Sequence, residues 1–157
     1  FHDCARMISD FYGTINDGFR EKLGPVLFQL PPRLGYNEER LDRIIKNLNS
    51  SFNNVVEFRH ESWWREDVYQ ALAEKNIAFC GMSHPELPDE VVRNTSEIYY
   101  RFHGVPNLYS SRYSIEFLQK VANVVNDDPK IKQGWFYFNN DYDAIATINA
   151  KEMITLI

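Results

Sequence analysis

Short apolar runs of strand length alternate along the chain with stretches whose apolar residues recur at helical spacing. The runs predict β-strands at 26–30, 55–58, 77–82, 98–102 and 135–138. Helices are predicted at 5–19, 38–48, 66–75, 115–126 and 144–156, and we expect Gly13 and Gly18 to divide the first helix into two pieces. Because no tight hairpin signal joins consecutive strands, the alternation predicts a parallel sheet with right-handed crossovers.

Four predicted strands run into polar segments, QLPP, EFRH, RFHG and FNND, which finish at Pro32, His60, Gly104 and Asp141. Parallel α/β folds assemble their sites at the carboxyl ends of strands, so we expect these endings to share one rim. Side chains alternate between the two faces of a strand, and here one face is largely apolar while the other turns polar towards each carboxyl end. The polar set on that second face is Gln29, Glu57, Arg59, Arg101, His103 and Asn139.

Two interpretations of this polar set are open. In the structural one, Glu57 pairs with Arg59 or Arg101 and merely satisfies a polar interior, because a buried charge needs a partner whatever its function. In the functional one, Arg59 and Arg101 clamp a small anionic ligand, phosphorylated or carboxylated, and Glu57 or His103 moves a proton. The predicted catalytic residues are Glu57 and His103, and the predicted ligand-binding residues are Gln29, Arg59, Arg101, Asn139, Asn140 and Tyr113.

Other chemistry stays open beside this hypothesis. A divalent-metal enzyme would use Glu57, His103 and Asp141 as ligands, with Asn139 as a further candidate, although two nearby arginines disfavour a cation. A nucleic-acid or protein-binding module would instead use exposed aromatic residues beside Arg112 as a stacking surface. Those aromatic residues are Trp63, Trp64, Tyr109 and Tyr113.

More ordinary roles are expected for several of the same residues. Trp63 would pack over the mouth of the sheet, and the loop at 109–113 would form a lid that gates ligand entry. His60 lies on the other face by strand alternation and would orient the loop that follows it. Asp141 or Asp143 would cap the last helix.

Composition narrows the class of protein. The chain has 157 residues, of which 44% are hydrophobic, enough for the core of one domain. A net charge of −5 disfavours nucleic acid, and no apolar stretch approaches the ~20 residues of a membrane span. The two cysteines, Cys4 and Cys80, lack metal-site spacing and are expected to be reduced thiols of a cytoplasmic protein. No dinucleotide fingerprint, phosphate-cradling loop or nucleophile elbow indicates a cofactor or a serine triad.

Five segments together resemble the YecE-like family, also called domain of unknown function 72 (DUF72). They are LGPVLFQLPP (23–32), VEFRHESWW (56–64), YYRFHG (99–104), the pair Tyr109 and Tyr113, and FNND (138–141) followed by NA (149–150). The resemblance implies that residues 1–157 form a single YecE-like domain of α/β, parallel TIM-barrel type. Its strands would be the fourth to eighth of the barrel, with the N-terminal strands missing.

An arc of five strands would leave two sheet edges uncovered, so self-association through these edges is a further expectation. No reaction and no cofactor follow from the resemblance, since none is established for the family in general. Whether the protein is an enzyme therefore depends on the site itself.

Overall fold

The computed structural model describes residues 4–157 and contains five helices and five strands. The strands are β1 (Val26–Gln29), β2 (Asn54–Glu57), β3 (Ala78–Ser83), β4 (Glu97–Phe102) and β5 (Gln133–Phe138). The helices are α1 (Ala5–Phe19), α2 (Glu38–Asn47), α3 (Glu66–Ala73), α4 (Ile115–Asn126) and α5 (Ile145–Ile154). Short 3₁₀ turns occupy Arg20–Lys22, Glu61–Trp63 and Tyr142–Ala144. All the predicted strands are present, and β3 is joined to β4 by an irregular segment that contains turns and no helix.

The five strands form one parallel sheet, as the alternation predicted, and their order is β1-β2-β3-β4-β5. Neighbouring strands lie about 4.8 Å apart, so β1 and β4 would be about 14 Å apart in a flat sheet. A side chain of β4, Arg101, nevertheless hydrogen-bonds Gln29 of β1. The sheet is therefore strongly curled towards this face and forms a half-barrel, consistent with part of a TIM-type fold.

The helices cover the outer, convex face of the half-barrel. One core cluster packs β2 and β3 residues such as Val56 and Phe79 against α2 and α3. A second packs Tyr100 and Phe102 of β4 against α4 and α5. The inner face carries a smaller apolar cluster, built from Val55, Ala78, Cys80, Met82 and Tyr99. The predicted division into an outer apolar face and an inner face that turns polar at its carboxyl end is confirmed for β1, β2, β4 and β5. The inner face of β3 carries Ala78, Cys80 and Met82.

Helix α1 is continuous, so the prediction that glycines divide it was wrong. A glycine inside a helix costs only about 1 kcal/mol relative to alanine, and tertiary contacts outweigh that cost. Tyr12 supplies such contacts, since its ring stacks on Phe52 at 4.4 Å and its hydroxyl donates to Asn54 Oδ1 at 2.6 Å.

Side-chain caps begin two of the helices. Asn37 Oδ1 accepts a hydrogen bond from the backbone N–H of Arg40, and Ser114 Oγ accepts one from Phe117. The expected cap of α5 by Asp141 or Asp143 was wrong. Asp143 lies inside the preceding 3₁₀ turn at φ 54°, and α5 begins only after Ala144, which has no side-chain cap.

Candidate active site

A fully buried carboxylate, Glu57, lies at the carboxyl end of β2 on the inner face. Its Oε2 accepts a hydrogen bond from Arg101 Nη1, and its Oε1 forms an ion pair with Arg59 Nε. The side chains of Arg59 and Arg101 are 10% and 18% exposed. Two positive groups and one negative group leave a local charge of +1, held in place by one carboxylate.

Arg101 extends across the half-barrel. Besides binding Glu57, its Nη1 donates to Gln29 Oε1 at 3.2 Å. Burial acts to lower the pKa of the guanidinium, but the charge and hydrogen bond of Glu57 outweigh burial and raise it. Arg101 is therefore a fixed cation that links three strands.

His103, just beyond the end of β4, is fully buried beside this group. Its Nε2 lies 3.8 Å from Glu57 Oε1, and its Nδ1 lies 3.3 Å from Asn139 Nδ2. Burial, followed by the charges of Arg59 and Arg101, lowers the pKa of His103 to about 3. The imidazole is thus neutral at pH 7, and the amide nitrogen that faces Nδ1 favours the tautomer protonated on Nε2. That atom has no hydrogen-bond partner among residues 4–157.

Six of the eight predicted site residues therefore form one connected group on the inner face. Arg101 bonds Gln29 and Glu57, Glu57 pairs with Arg59 and approaches His103, and His103 contacts Asn139. Their convergence was predicted from strand alternation alone. The pairing named in the structural interpretation is also present, because Glu57 uses an oxygen for each arginine.

The other two predicted residues, Asn140 and Tyr113, are buried elsewhere and bond within the chain. Asn140 Nδ2 donates to Ser111 O and to Asn149 Oδ1, and the Tyr113 hydroxyl accepts from the N–H of Gly104. Asn140 lies beyond β5, which ends at Phe138, and its amide contacts Ser111 and Asn149. The structure thus separates both residues from the six that converge.

Sequence reasoning missed two residues beside the group. His84 follows β3, and its ring centre lies 5.6 Å from that of His103. Cys80 Sγ lies 4.0 Å from Glu57 Oε2, and burial raises the pKa of its thiol. Strand alternation places His84 on the inner face, two residues after Met82. We did not apply that rule to the third strand, so His84 was missed.

A depression of about 310 Å³ opens beside the group. It is lined by Pro32, Arg59, His60, Glu61, His84, Glu86 and Leu87. His60 has the orienting role expected of it, because its Nδ1 accepts from the N–H of Ser62 and caps the turn Glu61–Trp63. Arg59 is thus the member of the convergent group that reaches this depression.

The aromatic surface expected of a binding module is not formed as predicted. Trp63 is fully buried on the outer face, where its ring stacks on Phe58 at 4.3 Å and its Nε1 donates to Leu34 O. Packing of Trp63 over the mouth of the sheet was therefore wrong as well. Tyr113 is 4% exposed, which leaves Tyr109, at 45%, as an exposed ring of that set.

The ligands proposed for a divalent metal do not form a metal site. Within residues 4–157 no three side chains among His, Cys, Asp and Glu are placed to hold a metal ion. Glu57, His103 and Asp141 therefore do not converge as that hypothesis required. In the same part of the chain, no helix has the length and apolar character to cross a membrane.

Comparison with known proteins identifies the family. The model of "Protein of unknown function DUF72" matches residues 1–157. The chain belongs to the DUF72 family. A DUF72 protein from Thermotoga maritima MSB8 has a solved structure that is 27% identical, with a TM-score of 0.86 over 98% of this chain. Two structures of a DUF72 protein from Enterococcus faecalis V583, at 17% and 20% identity, share the fold with TM-scores of 0.84 and 0.77 over 99% and 96% of this chain.

This DUF72 chain spans 65% of the length of the Thermotoga protein, and 66% and 67% of the Enterococcus chains. A search of curated proteins found no match. The family description names no activity.

Proposed function

We propose that this DUF72 protein binds a small anionic molecule, phosphorylated or carboxylated, on the inner face of its sheet. The observation that carries the proposal is the sharing of one buried carboxylate, Glu57, by two guanidinium groups. We also propose that the five strands are the fourth to eighth of a TIM-type barrel, whose carboxyl-end face is where such enzymes bind substrates.

The two arginines would form the clamp. Both hydrogen bonds of Arg101 within residues 4–157 start from Nη1, while a guanidinium carries five N–H donors in a planar fork. Arg59 borders the open depression, which gives an anion a route to its guanidinium. Glu57 holds both groups in position, so an incoming anion would meet donors that are already oriented.

His103 would add a neutral hydrogen-bond donor to the clamp. Its Nε2 lies 3.8 Å from the carboxylate that holds both arginines and has no partner in the described residues. A histidine with a pKa of about 3 is a weak base at pH 7, so donation to a ligand oxygen fits it better than proton abstraction. Proton transfer by Glu57 or His103 stays a prediction, as does self-association through β1 and β5.

Titration calorimetry with inorganic phosphate, sulfate and acetate tests the clamp. We expect Arg59→Gln and Arg101→Gln to weaken binding about 10- to 100-fold, since a charge-assisted hydrogen bond contributes about 1.5–3 kcal/mol. Arg101→Lys keeps the charge but loses the fork, and is expected to bind less well than the native protein.

Arg93→Gln is the matched control, because Arg93 forms an exposed ion pair with Asp128 at 3.3 Å. It should leave anion affinity unchanged. Circular dichroism verifies that each variant is folded before its affinity is compared. If all three anions bind Arg101→Gln and the native protein equally, or bind neither, the proposed function is wrong.

A further inference from the structure

Asn149, on α5, is fully buried and uses both ends of its carboxamide. Its Oδ1 accepts from the backbone N–H of Tyr113 at 3.0 Å, and its Nδ2 donates to the carbonyl of the same residue at 3.0 Å. Oδ1 also accepts from Asn140 Nδ2 at 3.0 Å, and Nδ2 donates to Glu152 Oε2 at 2.8 Å. One side chain thus fixes the backbone that follows the loop after β4.

Tyr113 carries this constraint back towards the convergent group. Its ring packs between Phe102 and Phe117, with ring centres 5.1 and 5.0 Å away. Its hydroxyl accepts from the backbone N–H of Gly104 at 2.7 Å, and Gly104 directly follows His103. Tyr113 therefore connects Asn149 to the peptide that follows the buried histidine.

The backbone around His103 has little freedom. The His103 N–H donates to Ser83 O at 3.0 Å, and its carbonyl accepts from the N–H of Tyr109 at 2.6 Å. Gly104 has φ +92°, and a Cβ there would lie 2.8 Å from Asn107 O. Because a side chain swings with its backbone, these bonds determine where the imidazole points.

We propose that Asn149 is a positioning residue that directs His103 Nε2 towards the anion site through Tyr113. The inference rests on the proposed function for its ligand, but the positioning itself is a property of the hydrogen-bond chain. Loss of Asn149 frees Tyr113, removes the acceptor from Gly104 and lets the imidazole leave its contact with Asn139. Tyr113, predicted to bind ligand, acts in this account through His103.

The test combines two variants with two measurements. Asn149→Ala removes the amide that holds the backbone of Tyr113. Tyr113→Phe removes only the hydroxyl that accepts from the N–H of Gly104. Nitrogen-15 NMR of the imidazole should show one neutral tautomer of His103, protonated on Nε2, in the native protein and a mixture in both variants. Phosphate affinity should fall about tenfold in both, the value of one hydrogen bond to an anion. The double variant should bind phosphate with about the same affinity as the single variant that binds it less tightly, because both changes act through the same hydrogen bonds.

Asn126→Ala is the control for a purely structural amide, since Asn126 Nδ2 ties α4 to Leu156 O at 2.9 Å. It should change neither the His103 spectrum nor phosphate affinity. The proposal is overturned if Asn149→Ala and Tyr113→Phe lower the melting temperature but leave the His103 tautomer unchanged. If Asn149→Ala does not fold, Tyr113→Phe alone decides. If the native protein binds no phosphate, the proposed function fails, while the imidazole spectrum still tests the positioning.

Discussion

Replacing His103 with glutamine should flatten the dependence of stability on pH between 5 and 7. His103 is buried next to Arg59, Arg101 and His84, and burial together with these charges lowers its pKa to about 3. In the unfolded chain the pKa returns to about 6.5. Below pH 6.5 the His103 imidazole binds a proton in the unfolded state but stays neutral in the folded state, so acid favours unfolding.

The size of the effect follows from the two pKa values. Each pH unit between them contributes up to about 1.4 kcal/mol, and the linkage relation gives a loss of about 2 kcal/mol between pH 7 and pH 5. The stability is present above pH 6.5 and is lost progressively as the pH falls towards 3. His84 adds to the slope in the same direction, because burial and Arg59 also lower its pKa.

Urea denaturation at pH 5, 6 and 7 measures the slope directly. The native protein should lose about 2 kcal/mol or more over this range, and His103→Gln should recover most of that loss relative to its own value at pH 7. His84→Gln separates the contribution of the second histidine. Equal slopes in the native protein and His103→Gln would refute the argument, since His103 would then titrate normally in the folded state.

Two further substitutions test the site and its loop. Glu57→Gln should lower the free energy of unfolding by about 3 kcal/mol, because it leaves two largely buried guanidinium groups without a carboxylate. A loss below 1 kcal/mol, as expected for the exposed pair lost in Arg93→Gln, would contradict this. Gly104→Ala should cost about 2 kcal/mol, because alanine is strained at φ +92° and would clash with Asn107 O. Gly18→Ala is the matched control: a Cβ at Gly18 in α1 meets open space, so this variant should be more stable than the native protein. Denaturant titration measures the stability of these two glycine variants, Glu57→Gln and Arg93→Gln.

The inner group could be predicted because strand alternation depends only on position. Residues two apart on a strand share a face, so Glu57 and Arg59 were placed together, as were Arg101 and His103, without any knowledge of packing. The same rule assigned Val56 to the helix-covered face, where the structure has it. The sequential strand order followed instead from the family resemblance, because right-handed crossovers also allow a doubly wound sheet.

The partners within the group could not be predicted. Whether Glu57 would take Arg59 or Arg101 depends on the curl of the sheet, which brings β4 within reach of β1 and lets both arginines bind. Curl is a collective property of side-chain packing, and no local pattern encodes it. The prediction that Trp63 packs over the mouth of the sheet was wrong for a related reason. A turn after β2 redirects its ring to the outer face.

Asn149 shows a different limit. The sequence shows that an asparagine, a poor helix former, lies within a predicted helix. It does not show which loop the amide of this side chain binds. The loop at 109–113 stays a predicted lid, and its end at Tyr113 is tied to α5 by two hydrogen bonds that the sequence did not indicate. Long-range bonds between a side chain and a distant backbone have no periodicity to reveal them.

Charge balance favours ligand binding over a purely structural pair. A structural ion pair in a protein interior needs one cation for each anion, because every uncompensated buried charge costs several kcal/mol. Here two guanidinium groups, 10% and 18% exposed, share Glu57, and the neighbouring imidazole is neutral, so one positive charge is left over within the convergent group. Glu61 and Glu86 line the adjoining depression, but Arg59 pairs with Glu57. In a chain whose net charge is −5, this excess is local and is directed to the inner face. An anion that replaced water there would remove the excess, and the groups that bind it would not have to move.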